Sequence, residues 1–293
     1  MFGMPNIWGM GAAFLITLRE GLEISLVLAI LLGYLVKIGR TDRTRAVWVG
    51  TGIAAAICIV AGVAVHLATK GLHGKAEPAV EGTLALLACG VLTWMILWMH
   101  KNAKSMGGHL RAKLDGAETG GAIATIAFIA VAREGFETVL FLLGAETGTA
   151  TGGQVVAGGL LGLAVSSVVG VLIYRFGKNI DLRTFFRFTG VLLILFAAGL
   201  AGKVVHEYGE LLGLSGWLLD PMWTITSGPF ASGSFYDFLE GLFGWVADPE
   251  RARVFAHLAY LLPVLTLFLR PDRTVTAPSA PVEAAAPQVE ATL

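Results

Sequence analysis

Arg19-Glu20-Gly21-Leu22-Glu23 lies inside an apolar run from Gly11 to Val36, and a near-copy, Arg133-Glu134-Gly135-Phe136-Glu137, lies inside a second run from Gly121 to about Ala145. Three ionised groups in the middle of a membrane-length helix are costly. At roughly 2.5–3.5 kcal/mol each, an unpaired motif would cost on the order of 8–10 kcal/mol. Such a cluster persists when its charges pair with one another and face the protein interior. Helical spacing supplies the pairing: Glu20 and Glu23 stand three apart on one face, and Arg19 reaches Glu23 four residues on. Arg133, Glu134 and Glu137 repeat the arrangement. Gly21 and Gly135 let a neighbouring helix come close beside the carboxylates. The two helices are expected to face each other with four carboxylates and two guanidiniums between them.

The rest of the composition agrees with a chain that lives in lipid. Of 293 residues, 55% are hydrophobic and 14% charged, with mean hydropathy +0.73, whereas a soluble domain carries about 25% charged residues. The fold class is therefore an all-α polytopic membrane protein. Cys58 and Cys89 both sit in apolar runs and read as small buried hydrophobes rather than halves of a disulfide. The first run lacks a basic segment before it and carries Arg19 and the glutamates, so it reads as the first membrane helix and not as a cleaved signal peptide.

Seven apolar runs approach the roughly 20 residues that span a bilayer: about 11–36, 46–69, 79–99, 121–145, 154–175, 187–206 and 252–269. Lys37, Arg40, Arg43 and Arg45 follow the first; Lys101, Lys104, Arg111 and Lys113 follow the third. Arg175, Lys178, Arg183 and Arg187 surround the link between the fifth and sixth, and Arg270 and Arg273 follow the seventh. The segment 206–250 is acidic and has no Lys or Arg; Lys70 and Lys75 are a mild exception on its side of the membrane. The positive-inside rule then puts the N-terminus outside and the C-terminus in the cytoplasm. The expected organisation is a transmembrane domain over 1–270, with an outer loop at 207–250 and a last helix at 252–269, followed by a Pro- and Ala-rich disordered cytoplasmic tail at 271–293.

The two motifs align at an offset of 114 residues, which also matches Phe14 with Phe128, Leu26 with Leu140 and Leu28 with Leu142. Span one runs inward and span four outward. Spans 1–3 (about 11–100) and 4–6 (about 121–210) are therefore a candidate inverted repeat, with span seven added outside it. An in-plane axis would bring both motifs together near the midplane.

Four carboxylates and two arginines leave a charge of about −2, which a hard cation completes. Oxygen-only ligation suits iron, manganese, magnesium or calcium ions, whereas Zn²⁺ and Cu(I) call for more imidazole or sulfur. No histidine lies beside either motif, which also argues against the Glu-x-x-His di-iron pattern. The arginines would orient the glutamates and make the empty site tolerable. A single Arg–Glu tie between helices needs one glutamate per arginine; here there are two.

These paired Arg-Glu-x-x-Glu motifs resemble those of the oxidase-dependent iron transporter family, which includes the fungal high-affinity iron permeases and the bacterial Efe-type iron permeases. The resemblance covers roughly residues 1–270, with the motifs in the first and fourth of seven spans; Phe136 stands where the first motif has Leu22, at a variable position. It implies an iron ion permease of the bacterial cytoplasmic (inner) membrane, not an enzyme, with iron as transported substrate and no organic cofactor. Glu20, Glu23, Glu134 and Glu137 would be the iron ligands. It also implies a separate extracytoplasmic protein that oxidises or delivers iron. Besides iron and the lipid bilayer, a homo-oligomer is a candidate partner and nucleic acid is not. Two alternatives stay open: a permease for another hard divalent cation such as manganese, and an intramembrane metal-dependent enzyme, for which the sequence offers no nucleophile. The absence of a Walker motif argues against ATP-driven transport by this chain alone.

Secondary candidates gather at the outer side. Glu77 and Glu81 open span three, where acidic residues favour the helix dipole; Glu81, the deeper, is the better candidate to guide cations. His206, Glu207 and Glu210 share faces at the outer end of span six and read either as a capture site or proton-linked gate, or as solvated residues at a helix end, with Lys203 placed to neutralise Glu207. Asp237 and Glu240 form an acidic pair in the outer loop, similar in kind to an acidic extracellular motif of some family members. The many aromatics of that loop suggest that it lies on the membrane surface or caps the pore, and Pro221 and Pro229 break any helix there. His66 and His73 lack partners at metal spacing. Trp94, Trp98 and His100 read as an aromatic belt.

Overall fold

A computed structural model of the chain describes residues 10–69, 71–102, 106–146, 152–176 and 182–270. The tail 271–293 and the basic residues Lys70, Lys104, Lys178 and Arg273 lie outside the described residues. The described residues form nine helices: α1 (Gly11–Lys37), α2 (Thr44–Thr69), α3 (Ala76–Asn102), α4 (Met106–Asp115), α5 (Gly120–Glu146), α6 (Gly152–Phe176), α7 (Leu182–Leu211), α8 (Ser234–Phe243) and α9 (Arg251–Leu269). No strand occurs among them, only one isolated bridge between Pro221 and Glu250.

Five helices combine the length and apolarity to cross a bilayer: α2 with its preceding turn, α3, α6, α7 and α9. α1 and α5 are 27 residues long, about 40 Å, yet every 18-residue stretch of either contains at least three charged residues because of the motifs. The exposed surface is apolar where it is broadest. Ile53, Ile57, Val60 and Val63 of α2 and Val156, Leu160, Leu161 and Val168 of α6 are exposed, while Arg19, Glu20, Glu23, Glu134 and Glu137 are buried. This inversion of the soluble pattern fits a hydrocarbon solvent.

Glycine sets the helix pairs. α1 packs chiefly on α6, α2 on α5 and α3 on α7. Along α1 and α6, Met10 faces Gly158, Phe14 and Leu18 face Gly162, Gly21 faces Ser166 and Ser25 faces Gly170, so the two run parallel. α2 and α5 run parallel too, with Gly50 on Ala124, Cys58 on Gly135 and Gly62 on Val139. α3 and α7 are antiparallel: Gly82 meets Tyr208, and the Cys89 thiol donates to the Ala197 carbonyl at 3.4 Å. One core cluster joins Ala12 and Ile16 at the start of α1 with Phe141 near the end of α5. Another joins Leu31 and Leu35 at the end of α1 with Ile123 and Ala127 at the start of α5. α1 and α5 are therefore antiparallel, and their motifs sit at matching depth: Gly21 is ten residues from Gly11, and Gly135 eleven from Glu146.

The helices outrun the apolar runs that mark them. α7 continues to Leu211, carrying Lys203, His206, Glu207 and Glu210 on its last turns, because backbone hydrogen bonding persists after the side chains turn polar. α4 and α8, ten residues each, are too short for hydropathy to register. α8 lies in the segment between α7 and α9 and leans on the bundle, with Phe238 against Gly11 and, just past the helix end, Gly244 against Gly199. Pro221 and Pro229 fall outside helices. The loop is internally tied: Trp223 stacks on Trp245 at 5.7 Å, and Trp245 Nε1 donates to the Phe230 carbonyl at 3.0 Å.

Candidate metal centre

The motif residues meet between α1 and α5. One carboxylate oxygen each from Glu20, Glu134 and Glu137 lies within 4.8 Å of the others, and all three side chains are buried. Each of the three also has an Oε2 with no hydrogen-bond partner. A buried, unsatisfied acceptor is destabilising by about 1–3 kcal/mol, more when charged, so three of them at one place form a cluster of acceptors with unmet bonding capacity. Glu23 stands beside this triplet, with its Oε1 3.2 Å from Arg19 Nη2.

The two arginines hold the carboxylates of their own helices. Arg19 Nη1 donates to Glu20 Oε1 at 3.0 Å. Arg133 Nε donates to Glu137 Oε1 at 3.1 Å and lies 3.6 Å from Glu134 Oε1. Both guanidiniums rest on α3 within one stretch, Trp94 to Met99. The Arg19 Nη1 and Nη2 lie 3.3 and 3.2 Å from the sulfurs of Met95 and Met99. The Arg133 guanidinium sits over the rings of Trp94 and Trp98, 5.7 and 5.1 Å from their centroids. The motifs are alike in sequence but not in surroundings: the Arg19 side chain is 3% exposed and that of Arg133 37%.

At the end of the bundle where α1 begins, the charges form a second cluster. Ala88 and Leu200 touch Gly144 near the end of α5; Glu81 and Glu207, seven residues further along α3 and α7, are about 10 Å beyond it. Lys203 Nζ lies 2.7 Å from Glu81 Oε2 and 3.6 Å from Glu207 Oε1. His206 pairs with Glu250 at 2.6 Å, not with Glu210, which is exposed. Asp237 and Glu240 lie on α8 and are half-buried. Glu77 and His73 are exposed. The Arg253 side chain is seated on Gly202 and interacts electrostatically with Glu250, Glu240 and Glu207. Removing the ammonium from this partly exposed cluster leaves Glu81 and Glu207 opposed. Lys203→Met should therefore lower thermal stability of the solubilised protein, by less than the roughly 3–5 kcal/mol of a fully buried pair, and a second change, Glu207→Gln, should restore part of the loss.

The Iron permease FTR1 family matches residues 10–268. The chain belongs to this family. The ferrous iron permease EfeU of Yersinia pestis is 36% identical over 273 residues, 91% of this chain and 95% of that protein. The ferrous iron permease EfeU of Escherichia coli O6:H1 (strain CFT073) is 33% identical over 265 residues, 89% of this chain and 95% of that protein. No solved structure matches the chain. Family and relatives are permeases, not enzymes.

In this permease, sequence reasoning missed four residues that touch the site: Trp94, Met95, Trp98 and Met99. The two Trp positions read as a membrane belt, and the two Met positions draw no reading of their own. The available signal was their pattern, two i, i+4 pairs offset by one residue, which gives α3 two adjacent stripes, one aromatic and one thioether. It also missed Glu250 and Arg253, which reach the Lys203 cluster from the N-cap and first turn of α9 and show no relation in sequence to His206 or Glu207.

Proposed function

We propose that the permease imports ferrous iron across the bacterial inner membrane through the Glu20, Glu23, Glu134 and Glu137 site. The carrying observation is the convergence of three buried carboxylates, each with an unsatisfied oxygen, from two antiparallel helices. Four glutamates and two arginines carry about −2, which one Fe²⁺ neutralises, and carboxylate oxygens suit that ion. The relatives are ferrous iron permeases by name.

Seven helices then span the bilayer, α1 and α5 with their charges turned inward. An inverted repeat is supported by the glycine contacts. Met10, Gly21 and Ser25 lie 114 residues before Ala124, Gly135 and Val139; their partners Gly158, Ser166 and Gly170 lie 108 after Gly50, Cys58 and Gly62. One half thus reproduces the contacts of the other with the roles of the helices exchanged. The basic residues Lys37, Arg40, Arg43, Arg45, Arg111 and Lys113 mark the cytoplasmic end, leaving the N-terminus and the Lys203 cluster outside. Iron delivered there by an extracytoplasmic partner competes with Lys203 for Glu81 and Glu207, and then reaches the motif glutamates. As the ion takes the carboxylates, the guanidiniums stay solvated by α3, Arg19 on the two sulfurs and Arg133 on the two rings.

A cation–π contact contributes about 0.5–2 kcal/mol. Trp98→Leu should accordingly slow iron uptake by roughly two- to thirty-fold, and Trp98→Phe should retain more activity than Leu at equal protein level. The site itself is tested by anaerobic titration of the solubilised permease with Fe²⁺. Saturable binding that weakens at least about tenfold in Glu20→Gln is expected; a folded permease with no saturable Fe²⁺ binding would defeat the proposal.

A further inference from the structure

A groove of about 380 Å³ opens on the cytoplasmic half of the bundle, between α1, α4 and α6. Along α1 it is lined by Leu26, Ala29, Ile30 and Gly33, then by Tyr34 and Lys37. These positions follow one helical stripe, so the lining changes from hydrocarbon to cation over about 16 Å toward the membrane surface, the depth of one leaflet of a roughly 30 Å core. α6 repeats the order with Ile173 and then Tyr174, and α4 adds Arg111 at the cationic end. Lys37 and Arg111 are exposed, and among the described residues neither forms an ion pair. Two carboxylates at this end are already engaged: Asp115, one turn after Arg111 on α4, accepts a hydrogen bond from Tyr34, and Asp42 pairs with Arg43 at 3.0 Å.

We propose that this groove is a binding site for an anionic phospholipid of the inner leaflet, with one acyl chain along Leu26–Gly33 and the headgroup phosphate between Lys37 and Arg111. The order of the lining matches the order of groups in a lipid, from chain to phosphate. Lys37 and Arg111, exposed at its rim against the single Asp115 carboxylate, favour negative headgroups over zwitterionic ones, and basic pockets on the cytoplasmic side of helices recognise headgroups in this way. Gly33 keeps the groove open: a side chain there would meet nothing within 4 Å, so the space is unfilled rather than packed. The inner end begins at Leu26, three residues after Glu23, so the lipid would line the helix that carries the first motif. The assignment to the inner leaflet rests on the orientation proposed above.

The test is lipid retention by the purified, delipidated permease after exchange into nanodiscs of equal phosphatidylglycerol and phosphatidylcholine, read by native mass spectrometry after release. Retained phosphatidylglycerol should exceed phosphatidylcholine. The preference should fall about fivefold for Lys37→Gln or Arg111→Gln, and on the order of 25-fold for the pair. Gly33→Leu, whose Cβ meets nothing within 4 Å and whose side chain adds bulk to the groove without changing a charge, should reduce phosphatidylglycerol retention while the protein stays folded and still binds Fe²⁺. Millimolar inorganic phosphate should leave the lipid in place. Equal retention of the two lipids, unchanged retention in the double variant, or displacement by phosphate alone would each overturn the lipid site. None of these readouts depends on iron transport, so a failure here is separable from a failure of the metal site.

Discussion

Glu20→Gln, Glu134→Gln and Glu137→Gln should each reduce iron uptake by cells on the order of 100-fold at equal amounts of membrane-inserted protein. The magnitude follows from what the substitution removes. Loss of a group that merely orients a metal ligand costs about 10–100-fold, and these three, with oxygens mutually within 4.8 Å, are the proposed ligands themselves. Glutamine preserves shape and one acceptor but deletes the charge that offsets the cation. It also removes the opposite charge from a guanidinium, the buried Arg19 for Glu20 and the partly exposed Arg133 for Glu137. Glu23→Gln should be milder, because Glu23 lies outside the convergent triplet and its nearer partner is Arg19. Equal losses at all four positions, or none at the triplet, would contradict the geometry. Uptake per inserted molecule, normalised by quantitative blotting of membranes, is the measurement.

Gly162→Ala and Gly50→Ala should destabilise the permease strongly, although Ala is a better helix former than Gly by about 1 kcal/mol. A methyl group on Gly162 would lie 2.5 Å from the Phe14 carbonyl oxygen and 2.8 Å from the Leu18 amide nitrogen. On Gly50 it would collide with the Ala124 carbonyl and lie 3.1 Å from the Phe128 amide nitrogen. Both obstacles are helix backbone, which cannot rotate aside, so α1 must move off α6 and α2 off α5. Overpacking of this kind costs about 1–3 kcal/mol or more, and the displaced helices are those that carry the motifs. Gly52→Ala and Gly90→Ala, which meet nothing within 4 Å, should be neutral or slightly stabilising. Thermal unfolding of the four variants in one detergent gives the comparison.

The sequence makes the membrane class and the paired motifs legible for one reason: charge in a hydrocarbon-length helix has few physical explanations, and Arg19, Glu20 and Glu23 state it in five residues. Helical spacing then predicts the Arg19–Glu23 and Arg133–Glu137 contacts, which are local and depend on one helix alone. What spacing cannot predict is which third helix covers the arginines. Met95 and Trp94 lie on α3, far along the chain from Arg19, and their side chains look like any other lipid-compatible residues. The different exposure of Arg19 and Arg133 has the same origin, since two similar motifs are covered by different faces of α3. The residues around Lys203 show the reverse case. Their charges are visible, but pairing depends on the long excursion from α7 through α8 to α9, so Glu250 reaching His206 could be found only in three dimensions. The short α4 and α8 escape a hydropathy reading because ten residues cannot form a span, yet α4 supplies Arg111 to the groove beside α1 and α6.

The central claim, that this chain moves ferrous iron through the paired motifs, is tested most directly by uptake of radioactive Fe²⁺ into proteoliposomes holding the purified permease. A Glu20→Gln/Glu137→Gln double variant, reconstituted to the same density, is the comparison. Time-dependent accumulation by the native chain, retained against a moderate excess of Mg²⁺ and reduced to the level of empty liposomes in the variant, is the predicted result. Accumulation by the double variant equal to that of the native chain would contradict the account, because iron would then cross the membrane without the site.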